Sequence, residues 1–203
     1  MARVRGHHFG EGNYEESETR IRQLLAASGS GRAIDSTSVS IEAHGPEVGA
    51  DRGSLKSPET YIGHGKAEMF ASPGGAMLNT RHHYALPPRL RLNQWALSGE
   101  WTVQAEAAAL NTTGGRIAYR FHARDLHLIM GPSERRGAVR FRVLIDGQPP
   151  GASHGTDVDD QGNGTLTEQR LYQLVRQPGP IADRQFEIEF LDSGVEAFAF
   201  TFG

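Results

Sequence analysis

Alternation of apolar and polar residues with a period of two is the feature that most restricts how this chain can fold. Ile117, Tyr119 and Phe121 alternate with Arg116, Ala118 and Arg120. Val139, Phe141, Val143 and Ile145 alternate with Arg140 and Arg142, and that run ends in the turn pair Asp146-Gly147. Phe186, Ile188 and Phe190 alternate with Glu187 and Glu189, and Phe198, Phe200 and Phe202 with Ala199 and Thr201. Successive side chains of a strand point to opposite faces, so each run predicts one face in a core and one in water. Leu90 to Leu97, Trp101 to Leu110, Leu126 to Met130 and Leu171 to Val175 add less regular strands. The chain holds 25 glycines and 10 prolines, which supplies the turns that so many short strands need. The predicted fold is all-β, a jelly-roll β-sandwich with a short N-terminal helical remnant.

The texture changes along the chain, and three regions are expected. Residues 1–29 carry the helix: Asn13 with Glu16 three residues on fits an N-cap and capping box. Tyr14, Ile21, Leu24 and Leu25 share a helical face, and Gly29 stands where the helix would stop. A lone helix of this length is marginal in water and wants a surface to dock on. Residues 30–54, rich in Gly, Ser and Asp, read as a linker. Residues 55–203 form the sandwich.

Several functions are excluded or disfavoured. The chain has no cysteine, which removes disulfides, CxxC redox chemistry, cysteine nucleophiles and thiolate metal sites together. Its net charge is −3 and no basic block is interleaved with aromatics, so nucleic acid is not an expected partner. No apolar run is long enough for a transmembrane segment, and no apolar stretch follows Met1 to Gly12 as a signal peptide would require. There is no G-x-S-x-G nucleophile elbow, no phosphate loop, and no opposed carboxylate pair that marks a glycosidase.

Long stretches of the third region resemble a known family: SPETYIGHGKAEMFASPGG, LNQWALSGEWTV, GGRIAYRFHARDLHLIMGP, VRFRVLIDGQPPGASHGTDVDDQGNG and EQRLYQLVRQPGPI. They are similar to the C-terminal part of DipZ-type bacterial proteins, linked with cytochrome c biogenesis. Those combine a CcdA-like membrane region, a thioredoxin-like domain and a carbohydrate-binding-module-like jelly roll. HHFGEGNYEESETRIRQLLA resembles the final helix of the thioredoxin-like domain. The resemblance implies an N-terminally shortened member that keeps the accessory module without the CxxC centre, and an extracytoplasmic, membrane-associated setting. The expected function is a non-catalytic accessory module, with a glycan or a thioredoxin-like domain as partner. The alternative is an interaction or scaffolding domain with no glycan ligand.

A sugar site would need a flat aromatic face beside amide and carboxylate groups. Tyr61, Phe70, Tyr84, Trp95, Trp101 and Tyr172 lie in or beside turn-rich segments. Trp95, Trp101, Tyr61 and Tyr84 are the candidate platforms, with Asn93, Gln94 and Glu100 as hydrogen-bonding partners. The other reading makes both tryptophans core residues, since Leu92, Leu97 and Val103 around them look like core strand.

Two patterns raise the question of metal. Asp157, Asp159, Gln161, Gly162 and Glu168 follow the spacing of a calcium loop. Gln161 and Gly164 depart from the pattern and no helices flank it, so a glycine-rich connection with solvated acids stands beside the calcium reading. The pairs His7-His8 and His82-His83 place neighbouring side chains on opposite sides, so neither pair chelates easily. His64, His122, His127 and His154 have no helical ligand spacing. No cofactor is expected apart from that calcium reading.

Overall fold

The alternation becomes a two-layered antiparallel sandwich in the computed structural model, which describes residues 14–27, 45, 48–133 and 137–203. The chain divides into two units, Met1–Ala50 and Asp51–Gly203. The first holds helix α1 (Tyr14–Ala27), steadied by an Arg22–Glu18 pair one turn apart. Ile21, Leu24 and Leu25 of its apolar stripe are exposed. The expected cap Asn13 and stop Gly29 lie outside the described residues, as do His7 and His8.

The described residues of the second unit form eleven strands: β1 (Thr60–Tyr61), β2 (Arg81–Tyr84), β3 (Trp95–Val103), β4 (Ala108–Leu110), β5 (Arg116–Phe121), β6 (Asp125–Pro132), β7 (Val139–Ile145), β8 (Asn163–Leu166), β9 (Arg170–Arg176), β10 (Arg184–Phe190) and β11 (Val195–Phe202). One layer runs β8-β7-β10-β5-β3, the other β3-β4-β11-β6-β9, with β1 added to β11 and β2 to β3. The strand β3 therefore belongs to both. Trp95 to Ser98 pair with Ser98-facing Arg116 through Tyr119 of β5, and Gly99 to Val103 pair with β2 and β4. Gly99 sits at the crossing with φ +88, and a Cβ there would lie 2.9 Å from the Cα of Gly115. Only glycine tolerates both the backbone angle and the approach.

Trp95, Ile117, Tyr119, Phe121, Phe141, Phe186, Ile188 and Phe190 of one layer meet Trp101, Leu126, Leu128, Met130, Tyr172 and Phe200 of the other in a single core. The alternation of β5, β7 and β10 thus has the expected facing. The end of the chain differs from expectation. Val195 and Ala197 point inward, and then a bulge at Phe198 shifts the register so that Phe200 is the buried phenylalanine. An extra residue in the strand is what reconciles the odd-numbered inward positions with the later even-numbered ones. Trp101 to Leu110 is also two strands, because a turn in which Gln104 N–H donates to the Ala107 carbonyl separates β3 from β4.

A buried charge cluster ties β6 to β9. Asp125, 1% exposed, accepts from Arg124 and Arg176 at 2.7 and 2.6 Å.

Candidate functional site

The segment after β1 builds a groove. Ile62 N–H donates to the Phe198 carbonyl, which holds β1 on the edge of β11, and Gly63 then passes so close to Glu106 that a Cβ would sit 2.3 Å from its carbonyl carbon. Lys66 N–H closes a turn onto the Gly63 carbonyl at 3.2 Å, and the reversed chain brings the Lys66 ammonium 4.8 Å from the centroid of the Tyr61 ring. Trp95 anchors the next residues from below. Its indole N–H donates to Glu68 O at 2.8 Å, its backbone N–H to Met69 O at 3.3 Å, and its own carbonyl accepts from Ala71 N–H.

The result is a groove of about 360 Å³, lined by Pro58, Glu59, Thr60, Tyr61, Lys66, Glu68, Met69 and Asn93. That volume lies within the range of small-molecule sites. Tyr61 is exposed on its wall and Met69 on its rim, and both Met69 (φ +59) and Asn93 (φ +66) are in the left-handed region. Asparagine accepts that conformation readily, but methionine does not, so Met69 is held there by the bonds around it. Asn93 spans the floor: its side-chain oxygen accepts from Ser57 Oγ at 2.8 Å, and its amide nitrogen donates to the Lys56 carbonyl. Thr60 shares a 2.8 Å hydrogen bond with the hydroxyl of Tyr119, whose acidity burial weakens. The Glu59 carboxylate, hydrogen-bonded to the Tyr61 hydroxyl, pushes the Tyr61 pKa up.

Of the seven candidate ligand residues, the fold brings Tyr61 and Asn93 together here and distributes the other five elsewhere. Trp95, Trp101 and Tyr84 are at most 1% exposed, which corrects the expectation that they offer stacking faces. The polar atom of each is satisfied inside. Trp101 donates to Ser98 O at 2.8 Å, and the Tyr84 hydroxyl accepts from Met77 N–H at 3.0 Å. Gln94 accepts from Arg91 N–H to close a turn, and Glu100 pairs with Arg81 across β2 and β3. Lys66, Glu59, Glu68 and Met69 were not singled out from sequence. The available signal was the Gly63–Gly65 spacing, which returns the chain onto Tyr61.

The calcium-like residues do not converge. Asp157 accepts from Gln173 N–H at 2.7 Å and pairs with Arg170 at 2.6 Å, while Glu168 lies 3.6 Å from the same guanidinium. Arg170 is thus the cation that Asp157 and Glu168 share, and it also lies 3.7 Å from the centroid of the Tyr172 ring. Asp159 accepts from the backbone N–H groups of Asn163 and Gln161, and the Asn163 bond above all holds its carboxyl below the usual range. The Gln161 side of the loop therefore closes a turn around Asp159. Among the described residues no group of three or more His, Asp or Glu side chains is placed to hold a metal ion. The histidines are placed singly: His122 meets Asp183 at 2.6 Å, His64 meets Asn79, and His154 bonds backbone carbonyls. His82 and His83 alternate along β2 opposite Trp101 and Glu100.

The family model for the thioredoxin-like C-terminal domain matches residues 57–203, nearly the whole sandwich and the entire groove. The chain belongs to that family. Protein DipZ of Mycobacterium bovis and Protein DipZ of Mycobacterium tuberculosis are each 32% identical to this chain over 146 residues. That stretch is 72% of this chain and 19% of each relative, so the chain spans about a fifth of the curated relatives it matches. It is a DipZ-like C-terminal region. A solved family two carbohydrate esterase from Clostridium thermocellum, in complex with cellohexaose, superposes on 48% of this chain and 27% of its own. The TM-score is 0.37 at 11% identity, a likeness too loose to carry argument. Among the described residues no helix is long and apolar enough to cross a membrane.

Proposed function

We propose that the sandwich is a non-catalytic accessory module of a DipZ-type thiol–disulfide system, acting outside the cytoplasmic membrane, and that its ligand is a glycan seated in the Tyr61 groove. One observation carries the reading: the groove unites an exposed aromatic ring with an amide, two carboxylates and an ammonium. An apolar platform ringed by a few hydrogen-bonding groups is what a pyranose, with its apolar face and equatorial hydroxyls, requires. The chain has no thiol with which to exchange disulfides, so its part in such a system is to bind. Calorimetric titration with bacterial cell-wall polysaccharide and with defined oligosaccharides tests this. Tyr61→Ala should abolish binding and leave stability within about 0.5 kcal/mol, as expected of an exposed position. Undiminished binding by that variant defeats the assignment of the site.

A second reading has its own support. Met69, Met77 and Leu78 are exposed along one short segment, and methionine-rich surfaces adapt to protein partners. In that reading the module packs on a thioredoxin-like domain. Met77→Glu with Leu78→Glu would then weaken association with such a domain and leave glycan titrations unchanged.

A further inference from the structure

The Tyr61 ring already has an occupant. The Lys66 ammonium stands 4.8 Å from the ring centroid, within the range of a cation–π contact, and Glu59 and Glu68 line the same groove. Among the described residues no ion pair engages Lys66 or Glu68, and Glu59 is hydrogen-bonded to the Tyr61 hydroxyl. The groove thus presents an aromatic face to one cation, which belongs to the chain itself, and two exposed carboxylates lie on the same lining. From this arrangement we infer that the groove takes a saccharide bearing a free amino group, and that Lys66 is the intramolecular stand-in which such a ligand displaces. The inference rests on the glycan reading above and specifies its ligand.

The physical argument concerns what each class of sugar would do to the groove. A neutral sugar must move Lys66 off the ring and brings no cation to replace it. A uronic acid could recruit Lys66, but it brings a third carboxylate beside Glu59 and Glu68. An amino sugar replaces the displaced ammonium with its own, so the ring keeps a cation and the exposed carboxylates of the lining gain one to pair with. Lys66, on the turn closed by Gly63, can swing into solvent at little cost because it is exposed. Methionine at position 69 and proline at position 58 supply apolar walls that an ammonium sugar, still a largely hydrocarbon ring on one face, can touch.

The test compares four tetrasaccharides of glucosamine, N-acetylglucosamine, glucose and galacturonate, titrated into the full chain at low salt and at a pH where the glucosamine amine is protonated. The glucosamine tetramer should bind tightest, and its advantage should shrink as salt is added. Glu68→Gln should weaken it by about three- to fivefold, the scale of one exposed charge pair. Lys66→Met should strengthen it by a similar factor, since the competing cation is gone. A nuclear magnetic resonance spectrum of each variant establishes that the fold is kept. Equal or tighter binding of the acetylated, neutral or uronate tetramer through Tyr61 overturns the inference and leaves the glycan reading standing. Loss of glucosamine binding in Lys66→Met overturns it as well, because Lys66 would then be a ligand contact. Failure of all four tetramers to bind defeats the inference and the Tyr61 glycan site together.

Discussion

The indole N–H of Trp95 donates to the carbonyl oxygen of Glu68 at 2.8 Å, across 27 residues of chain. A side chain with 1% exposure thereby fixes the rim of a groove it never enters. Trp95→Phe should cost about 2–4 kcal/mol, part for lost ring volume and part for a carbonyl left without its donor. Urea denaturation measures this. The same variant should weaken any groove ligand more than its stability loss alone explains, because Glu68 and Met69 lose their anchor. Unchanged groove affinity in a folded Trp95→Phe would disprove the anchoring role.

Met69 offers the opposite sign. Its φ of +59 is a conformation that glycine adopts without steric conflict. Met69 is half exposed, so its side chain adds little to the core. Met69→Gly should therefore be neutral to stabilising by about 1 kcal/mol, where glycine in ordinary loops destabilises. A thermal melt decides it, with a fall of several degrees as the contrary result.

Asp125 is the buried carboxylate on which β6 and β9 converge, paired with Arg124 and Arg176. Asp125→Asn removes the buried negative charge that both guanidiniums share. The expected loss is about 2–4 kcal/mol, at the lower end because both arginines keep some contact with water. A matching loss in Asp125→Ala and Asp125→Asn would trace the effect to charge; a large loss only in the alanine variant would trace it to packing.

His127, opposite Gln173 in the β6–β9 ladder, is largely buried, and among the described residues its Nε2 has no hydrogen-bond partner. Burial holds its pKa below 6.5; Arg176 and Arg124 push the same way, while Asp125 and the Thr201 backbone oppose. The folded protein therefore prefers the neutral ring. Below about pH 6.5 the unfolded chain takes up a proton that the folded chain refuses, so this residue's contribution falls as the pH drops, by at most about 1.4 kcal/mol per unit. His127→Gln should flatten the decline in urea-derived stability between pH 7.5 and 5.5. An identical slope in the variant would assign the decline to other groups.

How much of this was legible in the residues depended on distance along the chain. The alternations around Tyr119, Phe141 and Ile188 show their facing in the sequence itself, because a strand's facing is decided by nearest neighbours. The bulge at Phe198 does not, because it shows only where β11 meets β6. Trp95 and Trp101 carry the same flat, amphipathic ring whether they stack on a ligand or fill a core, and only burial separates the two. The proximity of Tyr61 and Asn93 is not written in their sequence positions, since a turn at Gly63 and an anchor at Trp95 bring them to one groove. In the Asp157–Glu168 loop, spacing counted oxygens correctly but could not register that Arg170 and backbone N–H groups had already claimed them.

The passage of β3 through Gly99 from one layer to the other has a mechanical consequence. In a sandwich of two independent sheets, force can slide one sheet over the other and spare each ladder. Here a covalent spine joins the layers, so prising them apart must shear the ladders of β3 with β5 on one side and with β2 and β4 on the other. The sandwich should yield in one abrupt event under tension. Cutting the polypeptide between Ser98 and Gly99 should disarm that resistance more thoroughly than a nick in the loop before β2.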